Sequence, residues 1–128
     1  MGLRSIDSPR RRPAPHSALL ISGSGESHRH VFLPRTLIVA VKDNCDGCQA
    51  FLTHPEPTFA GWQLLLISKD VFATPLERQA VWQSSELFDA LEISAAPFYV
   101  ALDGTPLEVV TEGVVFDPQQ VVSELSLF

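Results

Sequence analysis

The stretch Thr36-Leu37-Ile38-Val39-Ala40-Val41 constrains this chain more than any other, because six residues pass without a charged side chain. A strand with one wet face alternates polar and apolar residues. An unbroken run rich in β-branched residues belongs instead to a strand covered on both faces. Such strands sit in the middle of α/β sheets, so other elements must pack on either side. Trp62 to Ser68 supplies a second run of this kind. The first run ends in Lys42-Asp43-Asn44, and Cys45-Asp46-Gly47-Cys48 follows at once. Open α/β sheets place their reactive groups just past the carboxyl ends of central strands.

The flanking segments fit the same architecture. Ala18 to Ser22 and His30 to Leu33 form a hairpin about Gly23-Ser24-Gly25-Glu26. Asp46 to Thr53 reads as a short helix stopped by His54-Pro55-Glu56-Pro57. Thr74-Pro75-Leu76-Glu77 is a capped start for a brief helix, and Ala80-Val81-Trp82 is extended. Ser84 caps a helix through Leu91 that lines Leu87, Phe88 and Leu91 along one face. Phe98 to Leu102 is a third core strand, Asp103-Gly104 turns the chain, and Leu107 to Val115 returns antiparallel. Asp117 caps a closing helix, Pro118 to Leu127. The order predicts an α/β sandwich around a mixed sheet, with an N-terminal β-hairpin extension and flanking helices.

A length of 128 residues suits one domain, and 45% hydrophobic residues provide a core for it. No apolar run approaches the roughly 18–20 residues of a membrane-spanning helix. Four arginines and one aspartate fall within residues 1–17, so the net charge of −6 becomes −9 for the remainder. That balance argues against nucleic acid and anionic membrane surfaces as partners. Residues 1–16, rich in Arg, Pro and Ser, read as a disordered tail ahead of a domain at 17–128. Arg10-Arg11-Arg12 is followed by Pro13, Pro15 and His16 where a signal peptide needs apolar residues. Ile6 breaks the myristoylation pattern. A cytoplasmic protein is expected.

Only two cysteines occur, three positions apart, which points to redox chemistry or to half of a metal site. At the start of a helix, Cys45 meets backbone N–H groups and the positive end of the dipole, both of which stabilise a thiolate. Cys45 is therefore the expected nucleophile. Cys48, one turn further in, is the expected resolving thiol. The competing reading is zinc: His28 and His30 project to one face of a strand and, with the cysteines, make a Cys₂His₂ set. Trp62 and Trp82 lie within apolar patterns that suit core packing. No Gly-rich phosphate loop, Ser–His–Asp set or paired catalytic carboxylates are present, so no cofactor is expected.

The segment from Leu37 through Cys45 and Cys48 resembles the strand-then-CxxC element of the thioredoxin superfamily. Leu91 to Gly104 resembles its helix, cis-proline, strand and Asp-Gly hairpin, and Glu112-Gly113-Val114 its last strand. The likeness spans roughly residues 30–127, and its nearest flavour is the TlpA/MauD-type thiol–disulfide reductases. It implies a thioredoxin-like three-layer sandwich and a thiol–disulfide oxidoreductase acting on protein disulfides or thiols. On residues alone, Pro97 suits a cis proline or a trans proline opening an edge strand. The resemblance implies cis, facing the cysteines, with Ala96 offering a backbone edge to substrate. Phe98 and Phe51 are expected to form an apolar rim.

Three departures set the chain apart. Asn44 stands where thioredoxins carry Trp, Val39 where they carry a buried Asp, and Asp46-Gly47 replaces the usual Gly-Pro. Asp46 and Asp43 oppose a thiolate at Cys45, which favours the disulfide and predicts a reducing potential. The same departures leave a non-catalytic binding or redox-sensing module as the alternative.

Overall fold

In the computed structural model, residues 12–42, 45–53, 59, 61–70 and 81–128 are described. They form one eight-stranded sheet: β1 (Arg12–Pro13), β2 (Ser17–Ile21), β3 (Ser27–Val31), β4 (Thr36–Ala40), β5 (Gln63–Ser68), β6 (Val81–Gln83), β7 (Phe98–Asp103) and β8 (Glu108–Val114). Three helices, α1 (Asp46–Thr53), α2 (Ser85–Ala90) and α3 (Pro118–Leu125), accompany it. The spatial order is β1-β8-β7-β4-β5-β6-β2-β3. Strands β4, β5 and β6 run parallel, and every other neighbouring pair is antiparallel. The mixed sheet with flanking helices expected from the sequence is the one that forms.

All five residues of β4 are buried. Leu37, Val39 and Val41 face one apolar layer, together with Leu66, Tyr99 and Ala101 from its neighbours. Phe51 of α1 and Val121 and Leu125 of α3 cover that layer. Ile38, Ala40, Ile67, Val100 and Leu102 face the opposite layer, which Leu87 and Phe88 of α2 cover. One sheet between two helical layers follows from the period-2 alternation of side chains on strands that have no wet face. No helix of the described residues is long and apolar enough to cross a membrane.

The predicted caps are in place. Ser84 Oγ accepts the Leu87 N–H at 3.2 Å and donates to Leu19 O at 2.8 Å. Asp117 Oδ1 accepts the Gln120 N–H at 2.9 Å ahead of Pro118. The helix start expected at Thr74 lies outside the described residues. At the other end of the chain, pairing begins earlier than expected. Arg12 and Pro13 pair with Val109 and Glu108, five residues before the boundary drawn at Ser17. Arg12 grips Glu112 with both terminal guanidinium nitrogens, at 2.8 and 3.0 Å, and donates to Leu91 O at 3.0 Å. Such a forked, charge-assisted contact is stronger than a single neutral hydrogen bond. Residues 1–11 of the expected tail lie outside the described residues.

Candidate redox site

The first turn of α1 brings the two cysteines together. Cys45 precedes α1, Cys48 lies in its first turn, and the Cys48 N–H donates to Cys45 O at 3.0 Å. Their Cα atoms are 5.2 Å apart and a disulfide joins them. Both residues are buried, Cys45 at 9% exposure and Cys48 at 0%. The Lys42 backbone N–H donates to Cys48 Sγ at 3.4 Å, so the end of the central strand holds the buried sulfur directly. That donor was not anticipated. The sequence cue for it is position alone, the first residue beyond the apolar run.

Pro97 closes the other side. The Ala96–Pro97 peptide is cis. A Cβ built on Gly47 would lie 3.3 Å from both Cγ and Cδ of Pro97. The proline ring therefore rests against the backbone between the two cysteines, an approach that a residue without a side chain allows. Pro97 is fixed from behind, because the Val115 N–H donates to Pro97 O at 3.0 Å. Ala96 packs half-buried against the layer that holds the cysteines.

Of the other expected site residues, Phe98 and Phe51 can be located. Phe98 packs against the opposite layer, the one that includes Ile38 and Val100, because alternation sends its neighbour Tyr99 to the cysteine side. Phe51 does lie with the cysteines, but it is fully buried and stacked on Phe59 with centroids 6.2 Å apart. The two rings therefore lie on opposite faces of the sheet. Asp43 and Asn44 lie outside the described residues, as does the side chain of Asp46. Val39 is fully buried in the layer with Cys48. Among the described residues, the buried polar side chains are Thr36, Ser68 and Ser84, so no buried carboxylate stands near the resolving sulfur.

The zinc reading loses its geometry. Strand β3, which carries His28 and His30, is the outermost strand, and β5, β6 and β2 separate it from β4. The two rings lie 6.1 Å apart. His28 meets Trp82 edge-on at 5.0 Å, and His30 meets Phe32 at 5.3 Å. Among the described residues, no group of three or more His, Cys, Asp or Glu is placed to hold a metal ion. Burial, and then the neighbouring His28, hold the His30 pKa below its ordinary value. The tryptophans pack against the core but stay half-exposed. Trp82 borders the α2 layer, and Trp62 carries the Arg35 guanidinium over its ring at 4.3 Å.

No protein-family profile and no curated protein sequence matches the chain. Solved structures do. A conserved protein of unknown function from Bacteroides fragilis superposes with a TM-score of 0.63 at 18% identity, covering 88% of this chain and 96% of its own. A "putative protein disulfide isomerase" from Bacteroides thetaiotaomicron superposes with a TM-score of 0.59 at 14% identity, covering 90% of this chain and 86% of its own. Together with the strand order and the cysteine turn, these likenesses define the fold as thioredoxin-like.

Proposed function

We propose that the protein is a thiol–disulfide oxidoreductase, working as a reductase of protein disulfides, with Cys45 as nucleophile and Cys48 as resolving thiol. One observation carries this reading: a Cys45–Cys48 disulfide beyond the carboxyl end of the central strand, Cys48 fully buried and Cys45 slightly less so, with Pro97 against the turn between them. The name of the Bacteroides thetaiotaomicron structure points to the same class of chemistry. The hairpin β2–β3 at the sheet's far edge is what favours kinship with TlpA/MauD-type reductases.

In the dithiol form, the Cys45 thiolate attacks one sulfur of a substrate disulfide. The other substrate sulfur leaves as a thiolate, and a mixed disulfide remains on Cys45. Cys48 then attacks the Cys45 sulfur, reforms the internal bond and expels the second substrate thiolate. Through its N–H, Lys42 stabilises negative charge on Cys48. With valine at position 39, the Cys48 proton passes to water. The substrate chain lies along Ala96 and Pro97, and Asp43 and Asp46 hold the potential on the reducing side.

Trapping tests the roles. Cys48→Ser should accumulate mixed disulfides with client proteins, and Cys45→Ser should accumulate none. Equal trapping by both variants, or by neither, would sink the assignment. Reversible oxidation without turnover would favour the redox-sensing module instead.

A further inference from the structure

At the carboxyl ends of β4 and β5 lies a cleft of about 400 Å³, bounded also by Phe88 and by residues 93–96. Its apolar lining includes Phe88 and Ile93, which belong to the α2 layer, across the sheet from the layer that holds the cysteines. The redox chemistry above makes no use of it. Crevices outside the carboxyl ends of adjacent parallel strands are where open α/β sheets take up ligands. The volume falls at the small end of the roughly 300–1,000 Å³ found for small-molecule sites.

The charge of the chain is distributed in favour of this place. Lys42 and Lys69 are the only lysines in the sequence, and both line the cleft as exposed residues. Among the described residues neither forms an ion pair, whereas Arg12, Arg29 and Arg35 pair with Glu112, Glu86 and Asp103. Both lysines stand on backbone that is tied down. The Lys42 N–H donates to Cys48 Sγ at 3.4 Å, and Gln83 Nε2 donates to Lys69 O at 3.3 Å. The buried Ser68 donates its hydroxyl to Asp70 O at 2.6 Å. Across the cleft, the Ile93 N–H donates to Phe88 O at 2.9 Å. Two lysines and Asp70 leave the cleft with a net charge of +1 on a chain of net charge −6, a local attractor for anions. Asp70 opposes a second negative charge on the same ligand.

We propose that this cleft binds a small monocarboxylate with an apolar body, its carboxylate held by Lys42 and Lys69 and its body against Phe88 and Ile93. Charge-assisted hydrogen bonds from the ammonium groups supply the preference for an acid. Removal of the body from water supplies the preference for one that is not bare. The site stands whether or not Cys45 and Cys48 exchange disulfides.

The test titrates the full chain with 3-phenylpropanoate and follows the backbone amides by NMR. This acid should bind at least about ten-fold more tightly than 3-phenylpropan-1-ol (the same body, no charge) or acetate (the same charge, no body). The amides of Lys69 and of residues 94–96 should move. Benzylsuccinate, which adds a second carboxylate, should bind more weakly than the monoacid. Lys42→Gln with Lys69→Gln should bring the acid down to the level of the alcohol, and added salt should act in the same direction. Ala95→Trp, at an exposed lining position, should block acid and alcohol alike. The amide spectrum of each variant reports whether it is folded. Equal binding of acid and alcohol, or an acid preference that survives the double change, would overturn the site. Acetate binding as tightly as 3-phenylpropanoate would overturn it too, by reducing it to surface charge, and benzylsuccinate binding tightest would overturn the single-carboxylate ligand.

Discussion

The chain carries two close pairs of reactive side chains, and the fold treats them in opposite ways. Cys45 and Cys48 sit at the end of the most buried strand, where a backbone N–H touches one sulfur and a proline ring covers the turn between them. His28 and His30 sit on the outermost strand, where each ring leans on an aromatic neighbour and, among the described residues, no carboxylate or sulfur joins them. The spacing of the first pair suits a helix start and that of the second suits a strand, so spacing alone recommends both. The surroundings separate them. A chemical site needs its reacting atoms fixed by elements whose positions the core already determines, which the central strand provides and the edge strand does not. The sharpest way to break this contrast is to delete one member of each pair. Cys45→Ser should abolish disulfide exchange, whereas His28→Asn and His30→Asn should leave it within about two-fold, the range of a surface change remote from the site. An insulin-reduction assay with a thiol donor reads both. Loss of activity in either histidine variant would couple the two regions and defeat the comparison.

Gly47 offers the next largest effect. Alanine there adds helix propensity of about 1 kcal/mol but brings a methyl group to 3.3 Å from two Pro97 carbons. Pro97 cannot retreat freely, because Val115 holds its carbonyl and Phe98 pairs with Ala40 and Val114. In urea unfolding, Gly47→Ala should therefore stay within about 1 kcal/mol of the parent, the two effects offsetting each other. Gly47→Val, bulkier and a poorer helix former, should cost about 1–3 kcal/mol and slow exchange as well. Full stability in the valine variant would show that the proline ring does not press on the cysteine turn.

The parts of this structure legible in the sequence are those fixed by neighbours along the chain. Thr36 to Val41 declared a two-sided strand by its composition, and Ser84 and Asp117 declared helix starts by their chemistry at the first turn. What stayed hidden depends on distant partners. Arg12 read as part of a basic tail because its value lies in Glu112, one hundred residues away. Phe98 read as a rim residue because it follows Pro97, yet one step of strand alternation sends it to the other face of the sheet. The cleft lined by residues 41–42, 68–70, Phe88 and residues 93–96 is built from four separate segments, so no local pattern announces it. The proline wall had a local cue in Asp46-Gly47, since a glycine between the cysteines permits close approach.

The smallest expected effect belongs to the histidine edge, and it sharpens the contrast by showing what that pair does. Burial and His28 hold the His30 pKa below 6.5, so on acidification the unfolded chain takes up a proton before the folded chain does. Stability should therefore fall as the pH drops through about 6.5, where an unfolded histidine begins to titrate. Glu86 acts in a separate and lower window. Its hydrogen bond from Arg29 holds its pKa below 4.5, so that contribution is lost only in stronger acid. Thermal unfolding between pH 7.5 and 5.5 should show a decline worth a fraction of a kcal/mol, because a half-exposed ring is well screened. His30→Gln should flatten the slope more than His28→Gln does, since the first removes the titrating group and the second only the lesser of its two perturbing causes. A slope unchanged in the His30 variant would place the pH sensitivity elsewhere. A slope of several kcal/mol would mean that the edge strand is held far more tightly than its exposure implies.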